Sequence, residues 1–114
     1  MAISEYKTNS ASVSTSEYSF VNNSTSLAAD TTDGVYQVFV DTSAMAAGDQ
    51  YQFTVYEKVT SGGSKQIIYQ AVLTGAMAAT WVTPALVLMN GWDVTALKLA
   101  GTDRTLAWSI RQVA

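Results

Sequence analysis

The sequence predicts an all-β fold, a single-domain antiparallel β-sandwich of seven or eight strands. Apolar and polar residues alternate with a period of two in several segments, which is the pattern of strands with one buried face. Short stretches rich in Gly, Asn, Asp, Ser and Thr separate these segments, as expected for turns. Helical character is limited to residues 24–30 and 42–48, each about one turn long. A chain of 114 residues with no linker-like stretch has the size of one domain.

The N-terminal part, residues 1–25, has two interpretations. Ser, Thr and Asn dominate it, so it is either an arm that becomes ordered on a partner or the first two strands of the domain whose remainder is residues 26–114. An arm with so little apolar area would contribute more to assembly than to the stability of the domain, because ordering its backbone costs entropy. Its apolar side chains would then be the anchors on the partner, and they are Ile3, Tyr6, Tyr18 and Phe20.

Six segments beyond the arm have strand character. The segment 34–41 places Tyr36, Val38 and Val40 on one face, and 50–59 places Tyr51 and Phe53 on a face opposite Gln52 and Thr54. Four further strands are predicted at 65–75, 80–89, 92–101 and 105–113.

The connections between these segments are typical of antiparallel sheets. Residues 60–64, TSGGS, lie between two alternating runs and predict a hairpin loop, and 90–91 and 100–103 have the same character. Pro84 interrupts the run 80–89, which predicts an edge strand or a bulge there. The strand count suits a jelly roll or an immunoglobulin-like sandwich, and the sequence leaves both strand orders open.

The stretch 41–63 carries the charged residues that most resemble a functional loop. Asp41 and Asp49 flank a short turn in which Met45, Ala46 and Ala47 replace the oxygen ligands of a calcium loop, so both aspartates are interpreted as turn residues. We therefore expect no bound metal. Glu57 shares the parity of Tyr51, Phe53 and Val55, which predicts a partly buried carboxylate tied to Arg104 or Arg111.

Catalysis is not indicated. The chain has no Cys and no His, so the usual nucleophile–base pairs are absent, and all six aspartates stand beside predicted turns. The glycines of SGGS precede a strand and lack the Lys-Ser/Thr and helix of a phosphate loop. We expect a protein that is not an enzyme and that has no catalytic residues and no cofactor.

Charge and hydropathy restrict the partners. Charged residues make up 13% of the chain and the net charge is −3, which argues against nucleic acid because phosphate binding needs clustered Lys and Arg. The first ten residues lack the basic and apolar regions of a signal peptide, so none is expected, and no apolar run approaches the roughly 18 residues of a membrane span. A weakly charged surface favours association, so a homo-oligomer is expected.

The three tryptophans offer one alternative function. Trp108 alternates with Leu106 and Ile110 and is expected in the core, and Trp92 begins a strand, whereas Trp81 is free to be exposed. Trp81 with nearby tyrosines would suit a glycan- or receptor-binding module. It would equally suit a protein interface, and we add Trp81 to the predicted partner residues.

The segments AGDQYQFTVYEKV (47–59), GWDVT (91–95) and WSIRQV (108–113) resemble small proteins encoded among the structural genes of tailed bacteriophages. The likeness covers residues 34–113. In pattern and size the chain is similar to capsid decoration, or cement, proteins. It implies a β-sandwich or jelly-roll virion protein that sits on the outer capsid as an oligomer, contacts the major capsid protein and stabilises the head. Assembly in the host cytoplasm, without membrane or nucleic-acid contact, is implied as well. Under the same resemblance, the glycan- or receptor-binding alternative would be a module of a phage tail fibre or of a cell surface.

Overall fold

The regular structure of this protein consists of strands. The computed structural model describes residues 2–77 and 79–113, and no helix occurs among them. The two segments with helical character, 24–30 and 42–48, are turns and irregular chain. The strands are β1 (Ile3–Val13), β2 (Tyr18–Ser19), β3 (Gly34–Asp41), β4 (Gln50–Lys58), β5 (Lys65–Thr74), β6 (Trp81–Val82), β7 (Leu86–Leu88), β8 (Asp93–Ala100) and β9 (Arg104–Val113).

The strands form two antiparallel sheets. The first sheet has the order β1-β9-β3-β6, with β7 also pairing with β3, and the second has the order β2-β8-β4-β5. If β6 and β7 count as one interrupted strand, the first strand pairs with the last, the second with the next to last, and so on inward to the β4–β5 hairpin. A long hairpin wrapped into two sheets in this way is a jelly roll, which decides between the two sandwich orders that the sequence left open.

The core lies between the sheets and is built from the predicted alternation. Tyr36, Val38 and Val40 on β3 are fully buried, and so are Tyr51 and Phe53 on β4. Burying an aliphatic or aromatic side chain of this size contributes about 1.5–3 kcal/mol to folding. Their neighbours along each strand are half-buried or exposed on the outer faces, with Thr54 an exception. The faces of these strands therefore follow the sequence pattern.

The N-terminal residues belong to both sheets. β1 pairs with β9 from Ile3↔Val113 to Val13↔Arg104, and β2 pairs with β8. Val13 and Phe20 are fully buried, and Val21 is buried as well. Residues 3–13 are thus an edge strand of the first sheet in this structure, and the chain crosses to the second sheet directly after it.

The predicted strand 80–89 is divided in two. Pro84 lies between β6 and β7, and the gap is held by Thr83, whose Oγ1 accepts the Val38 amide at 3.0 Å and whose amide donates to the Val38 carbonyl at 3.0 Å. Both short strands lie at the edge of the first sheet, as Pro84 predicts.

Candidate functional site

The five predicted partner residues do not form one exposed surface. Ile3, at the start of β1, is 70% exposed. Tyr6, Tyr18 and Trp81 are half-buried against the core, and Phe20 is 1% exposed. Of the five, only Ile3 offers most of its side chain to a partner.

Tyr6 connects β1 to one end of the sandwich. It is the extra residue where the β1–β9 register shifts, between Glu5 and Lys7. Its ring lies 5.4 Å from that of Tyr36 and 6.0 Å from that of Trp92, and its hydroxyl donates to Asp30 Oδ2 at 2.7 Å. Burial raises the pKa of Tyr6 above its ordinary value. These contacts give Tyr6 a role within its own domain.

Tyr18, Phe20 and Trp81 belong to one chain of aromatic contacts. Phe20 stacks on Trp108 with ring centroids 4.3 Å apart, and Tyr18 meets the same indole edge-on at 5.8 Å. Phe20 also lies 6.4 Å from Phe53, which stacks on Trp81 at 4.8 Å. Aromatic pairs at these distances contribute about 0.5–1.5 kcal/mol beyond their buried area. The inner face of the sandwich thus covers the ring of Phe20 in this structure, and its contact with a partner stays a prediction.

Asp49 binds Arg104, one of the two arginines that Glu57 was expected to bind. Its carboxylate accepts Arg104 Nε at 2.6 Å, the Ala46 amide at 2.9 Å and the Thr102 amide at 3.0 Å. The Arg104 bond and the two amides lower the pKa of Asp49 to about 2. Asp49 thus holds the turn before β4 against the β8–β9 turn, which is the turn role that the sequence predicts, with an added ion pair.

Glu57 caps a turn. Its Oε2 accepts the amides of Met89 at 2.5 Å and of Asn90 at 3.0 Å. The expected bond to Arg104 or Arg111 is wrong, because the β7–β8 turn lies beside the end of β4 and supplies the donors. The sequence places Glu57 on the correct strand but does not show which turn approaches it.

Asp93 is a buried carboxylate at the start of β8. It accepts Ser19 Oγ at 2.7 Å and the Ala28 amide at 2.9 Å, and Lys65 Nζ lies 3.9 Å away. Burial raises the pKa of Asp93. Ser19 lies on β2 and Ala28 lies on the crossover from β2 to β3, so Asp93 ties that crossover to the second sheet.

The acidic groups do not converge on a reaction centre. Asp49, Glu57 and Asp93 each bind a different turn or crossover, and Asp103 pairs with Lys98 at 2.5 Å. Over residues 2–77 and 79–113, no group of three or more His, Cys, Asp or Glu side chains is placed to hold a metal ion. Asp49, Glu57 and Asp93 therefore hold turns and a crossover in place, and Asp103 forms an ion pair with Lys98.

A depression lies across the outer face of the first sheet. It is shallow and open, about 710 Å³, and Thr8, Phe39, Val82 and Ser109 are among the residues that line it. Arg111 covers the Phe39 ring with its Cζ 3.8 Å from the ring centroid. The aromatic face in this depression is therefore already occupied by the guanidinium group.

Exposed apolar side chains form two groups that the sequence patterns did not indicate. Val59, Val87 and Met89, here called the apolar rim, are 82%, 75% and 55% exposed. Asn90 joins this group, since its carbonyl accepts the Lys58 amide and its side-chain amide lies 3.5 Å from the Val59 carbonyl. The second group, here called the β5 face, comprises Ile67, Ile68 and Val72 on the outer side of β5. The sequence signal that could have indicated both groups is the presence of apolar residues at strand ends and along edge strands.

Within the described residues, no helix is long and apolar enough to cross a membrane. No protein-family model, curated protein or solved structure matches this chain.

Proposed function

We propose that this protein is a non-enzymatic structural protein of a virion, a decoration or cement protein that binds the outer surface of a phage capsid and stabilises the head. Its partners are the major capsid protein and further copies of itself. It assembles on the capsid in the host cytoplasm and contacts neither membrane nor nucleic acid.

The apolar rim is the observation that carries this proposal. The chain encloses its own aromatic core, yet Val59, Val87 and Met89 remain on the surface at one end of the sandwich. Groups of exposed apolar side chains are typical of surfaces that are buried against another protein. With charged residues at 13% of the chain, this surface suits a lattice of neighbours.

The arrangement of the acidic groups supports the non-enzymatic part of the proposal. A hydrolytic or transfer reaction needs an acid, a base or a nucleophile within reach of one substrate atom. Here Asp49, Glu57 and Asp93 are engaged by different backbone amides, and the bonds that they make hold turns in place.

Binding to capsids tests the proposal. Capsids assembled from the major capsid protein of the encoding phage are sedimented with the purified chain, and their disruption temperature is measured with and without it. We expect co-sedimentation and a higher disruption temperature. Val87→Asp should weaken binding at least about tenfold, equivalent to about 1.4 kcal/mol, because it buries an unpaired carboxylate.

Ser61→Asp is the matched control, since it adds the same charge to the exposed β4–β5 turn next to the apolar rim. It should bind as the unchanged chain does. Equal binding by the Val87→Asp variant would remove the apolar rim from the interface, and the absence of any binding would contradict the proposed function.

The alternative is a receptor- or glycan-binding module. It required Trp81 to be free for stacking on a sugar, whereas Trp81 already stacks on Phe53 at 4.8 Å and on Tyr69 at 6.2 Å. A hit on a glycan array that Trp81→Ala abolishes, in a variant that keeps its fold, would favour this alternative over capsid binding.

A further inference from the structure

Asn90 and Gly91 form the only Asn-Gly pair in the sequence and lie in the turn between β7 and β8. Asparagine is among the thermolabile residues of proteins, because the backbone nitrogen of the next residue can attack its side-chain amide carbon. A glycine in that next position leaves the nitrogen unshielded, since it has no Cβ. The contacts of this turn therefore bear on whether the pair reacts in the folded chain.

The peptide group that joins Asn90 to Gly91 is held in place while its reacting groups stay free. The Asn90 amide donates to Glu57 Oε2 at 3.0 Å, and the Asn90 carbonyl accepts the Lys58 amide at 3.0 Å. The side-chain amide of Asn90 has one long contact, 3.5 Å to the Val59 carbonyl. Over residues 2–77 and 79–113, the Gly91 amide donates no hydrogen bond. Neither the nucleophile nor the carbon that it attacks is thus tied up by a strong bond.

Lys58 activates the Gly91 nitrogen in two ways. Its backbone amide polarises the Asn90 carbonyl, which belongs to the same peptide group as the Gly91 N–H. Its side chain crosses Gly91, since a Cβ built on that glycine would lie 3.3 Å from Lys58 Cε and 3.7 Å from Nζ. A positive charge this close favours the deprotonated form of a neighbouring group. Both influences favour loss of the Gly91 amide proton.

We propose that Asn90 is a site of spontaneous deamidation in the folded protein. The deprotonated Gly91 nitrogen forms a bond to Asn90 Cγ, and the bond from Cγ to Nδ2 breaks. Nδ2 takes up the proton that Gly91 has lost and leaves as ammonia, which closes a cyclic imide. Water then adds to either carbonyl carbon of the imide, and the bond from that carbon to the ring nitrogen breaks. The products are aspartate and isoaspartate, and water is the only added reactant.

Both products disturb the contact between this turn and the end of β4. Each places a carboxylate on the residue whose amide Glu57 binds, so like charges come close together. In isoaspartate the backbone continues through the former side chain and gains a methylene group, which shifts the residue 90 carbonyl away from the Lys58 amide. Met89 of the apolar rim directly precedes this residue, so the new charge also stands at the edge of that surface. The reaction itself needs no capsid and is independent of the proposed function.

Peptide mapping tests the site. The full chain is incubated folded at neutral pH, and samples taken over time are digested and analysed by mass spectrometry. Residue 90 should gain the mass difference between O and NH before any other asparagine does. The internal controls are Asn9, Asn22 and Asn23, which are exposed where Asn90 is half-buried, so exposure alone predicts the opposite order. An unchanged Asn90, or equal rates at all four asparagines, would overturn the proposal.

Substitutions at Lys58 separate the effect of the fold from that of the sequence pair. Lys58→Gln should slow the deamidation severalfold, because it removes the charge beside Gly91, whereas Lys58→Arg keeps the charge and should keep the rate. Lys7→Gln is the matched control, since it removes the same charge from an exposed position on β1. Circular dichroism shows that each variant is folded. If Lys58→Gln reacted as fast as Lys7→Gln, the activation by Lys58 would be wrong.

Unfolding in urea tests the consequence for the turn. Anion exchange separates the deamidated chain, which carries an added negative charge, and this chain should unfold at a lower urea concentration than the fresh one. Asn90→Gln closes the imide ring far less readily, so its urea midpoint should not change during the same incubation. Asn90→Asp carries the charge without the methylene group and should lie between the fresh chain and the isoaspartate form. A deamidated chain with the midpoint of the fresh chain would overturn the effect on the turn.

Discussion

At the scale of single residues, Gly101 shows most clearly how two turns constrain each other. It has φ +91°, a conformation that residues with a Cβ rarely adopt. A Cβ at this position would lie 2.6 Å from Asp49 Cα and 2.8 Å from the Gly48 carbonyl oxygen. The β8–β9 turn thus packs directly on the backbone of the turn before β4, at the place where Asp49 binds Arg104.

Gly101→Ala should therefore destabilise the protein more than the strain at positive φ explains. Gly75 has φ +83°, and a Cβ there would meet no atom within 4 Å, so Gly75→Ala isolates the strain, about 1 kcal/mol. We expect Gly101→Ala to lower the free energy of unfolding in urea by a further 1–3 kcal/mol or so, the usual cost of overpacking. If the two variants lost the same free energy of unfolding, the β8–β9 turn and the turn before β4 could move apart without an energetic cost.

At the scale of elements, β1 is the strand that sequence patterns describe least well. Eight of its eleven residues are exposed, and its last residue, Val13, is the one that is fully buried. What holds it is the ladder to β9 together with the contacts of Tyr6. The position of β1 therefore depends on its neighbour β9, whose inner residues Leu106 and Ile110 are completely buried.

Deleting residues 2–16 should destabilise the domain as well as any assembly. The deletion removes the burial of Val13, about 1.5–3 kcal/mol, and the aromatic contacts of Tyr6, about 0.5–1.5 kcal/mol. A loss of about 2–4.5 kcal/mol in the free energy of unfolding is therefore expected. Urea denaturation followed by tryptophan fluorescence measures it, and deletion of Ala2 alone, which precedes β1, is the control. An unchanged free energy of unfolding would return these residues to the role of an arm that acts on partners alone.

At the scale of the whole molecule, two buried carboxylates act on stability in opposite directions as the pH changes. The pKa of Asp49 is about 2 in the folded state, below its ordinary value of 3.8, so its contribution is complete above about pH 4 and is lost as the pH falls toward 2. The pKa of Asp93 is raised by burial, so its ionisation opposes folding above its ordinary pKa, and that cost disappears in acid. The change in the free energy of unfolding in acid is therefore the difference between these two effects.

Asp49→Asn should lower the free energy of unfolding at pH 7 and reduce its loss between pH 4 and pH 2, because the variant has no carboxylate to protonate at this position. Urea denaturation at a series of pH values measures both effects. Asp103→Asn is the control. Asp103 pairs with Lys98 and its side chain is 47% exposed, so the change should cost about 1 kcal/mol or less and keep the acid slope of the unchanged chain. If the Asp49→Asn variant lost stability between pH 4 and pH 2 as steeply as the unchanged chain, the acid sensitivity would come from a group other than Asp49.

The sequence by itself determined the faces of the strands. Alternation is a local property, so the all-β class, the strands β3, β4, β5, β8 and β9 and the inward side of Tyr36 or Phe53 could be predicted from neighbouring residues alone. Pro84 could likewise be placed at an edge, because its missing amide acts within its own strand. The turn role of Asp49 follows from the same kind of local information.

The tertiary structure decided the edges and the partners. The jelly-roll order depends on pairings such as that of β1 with β9, in which Thr8 Oγ1 donates to the Trp108 carbonyl 100 residues away. The same pairings decide that Phe20 is enclosed, that Glu57 binds a turn in place of an arginine, and that β5 remains an open edge. The physical reason is that a strand's side-chain alternation specifies which face is buried, whereas the backbone groups at its two edges are the same for every residue except proline.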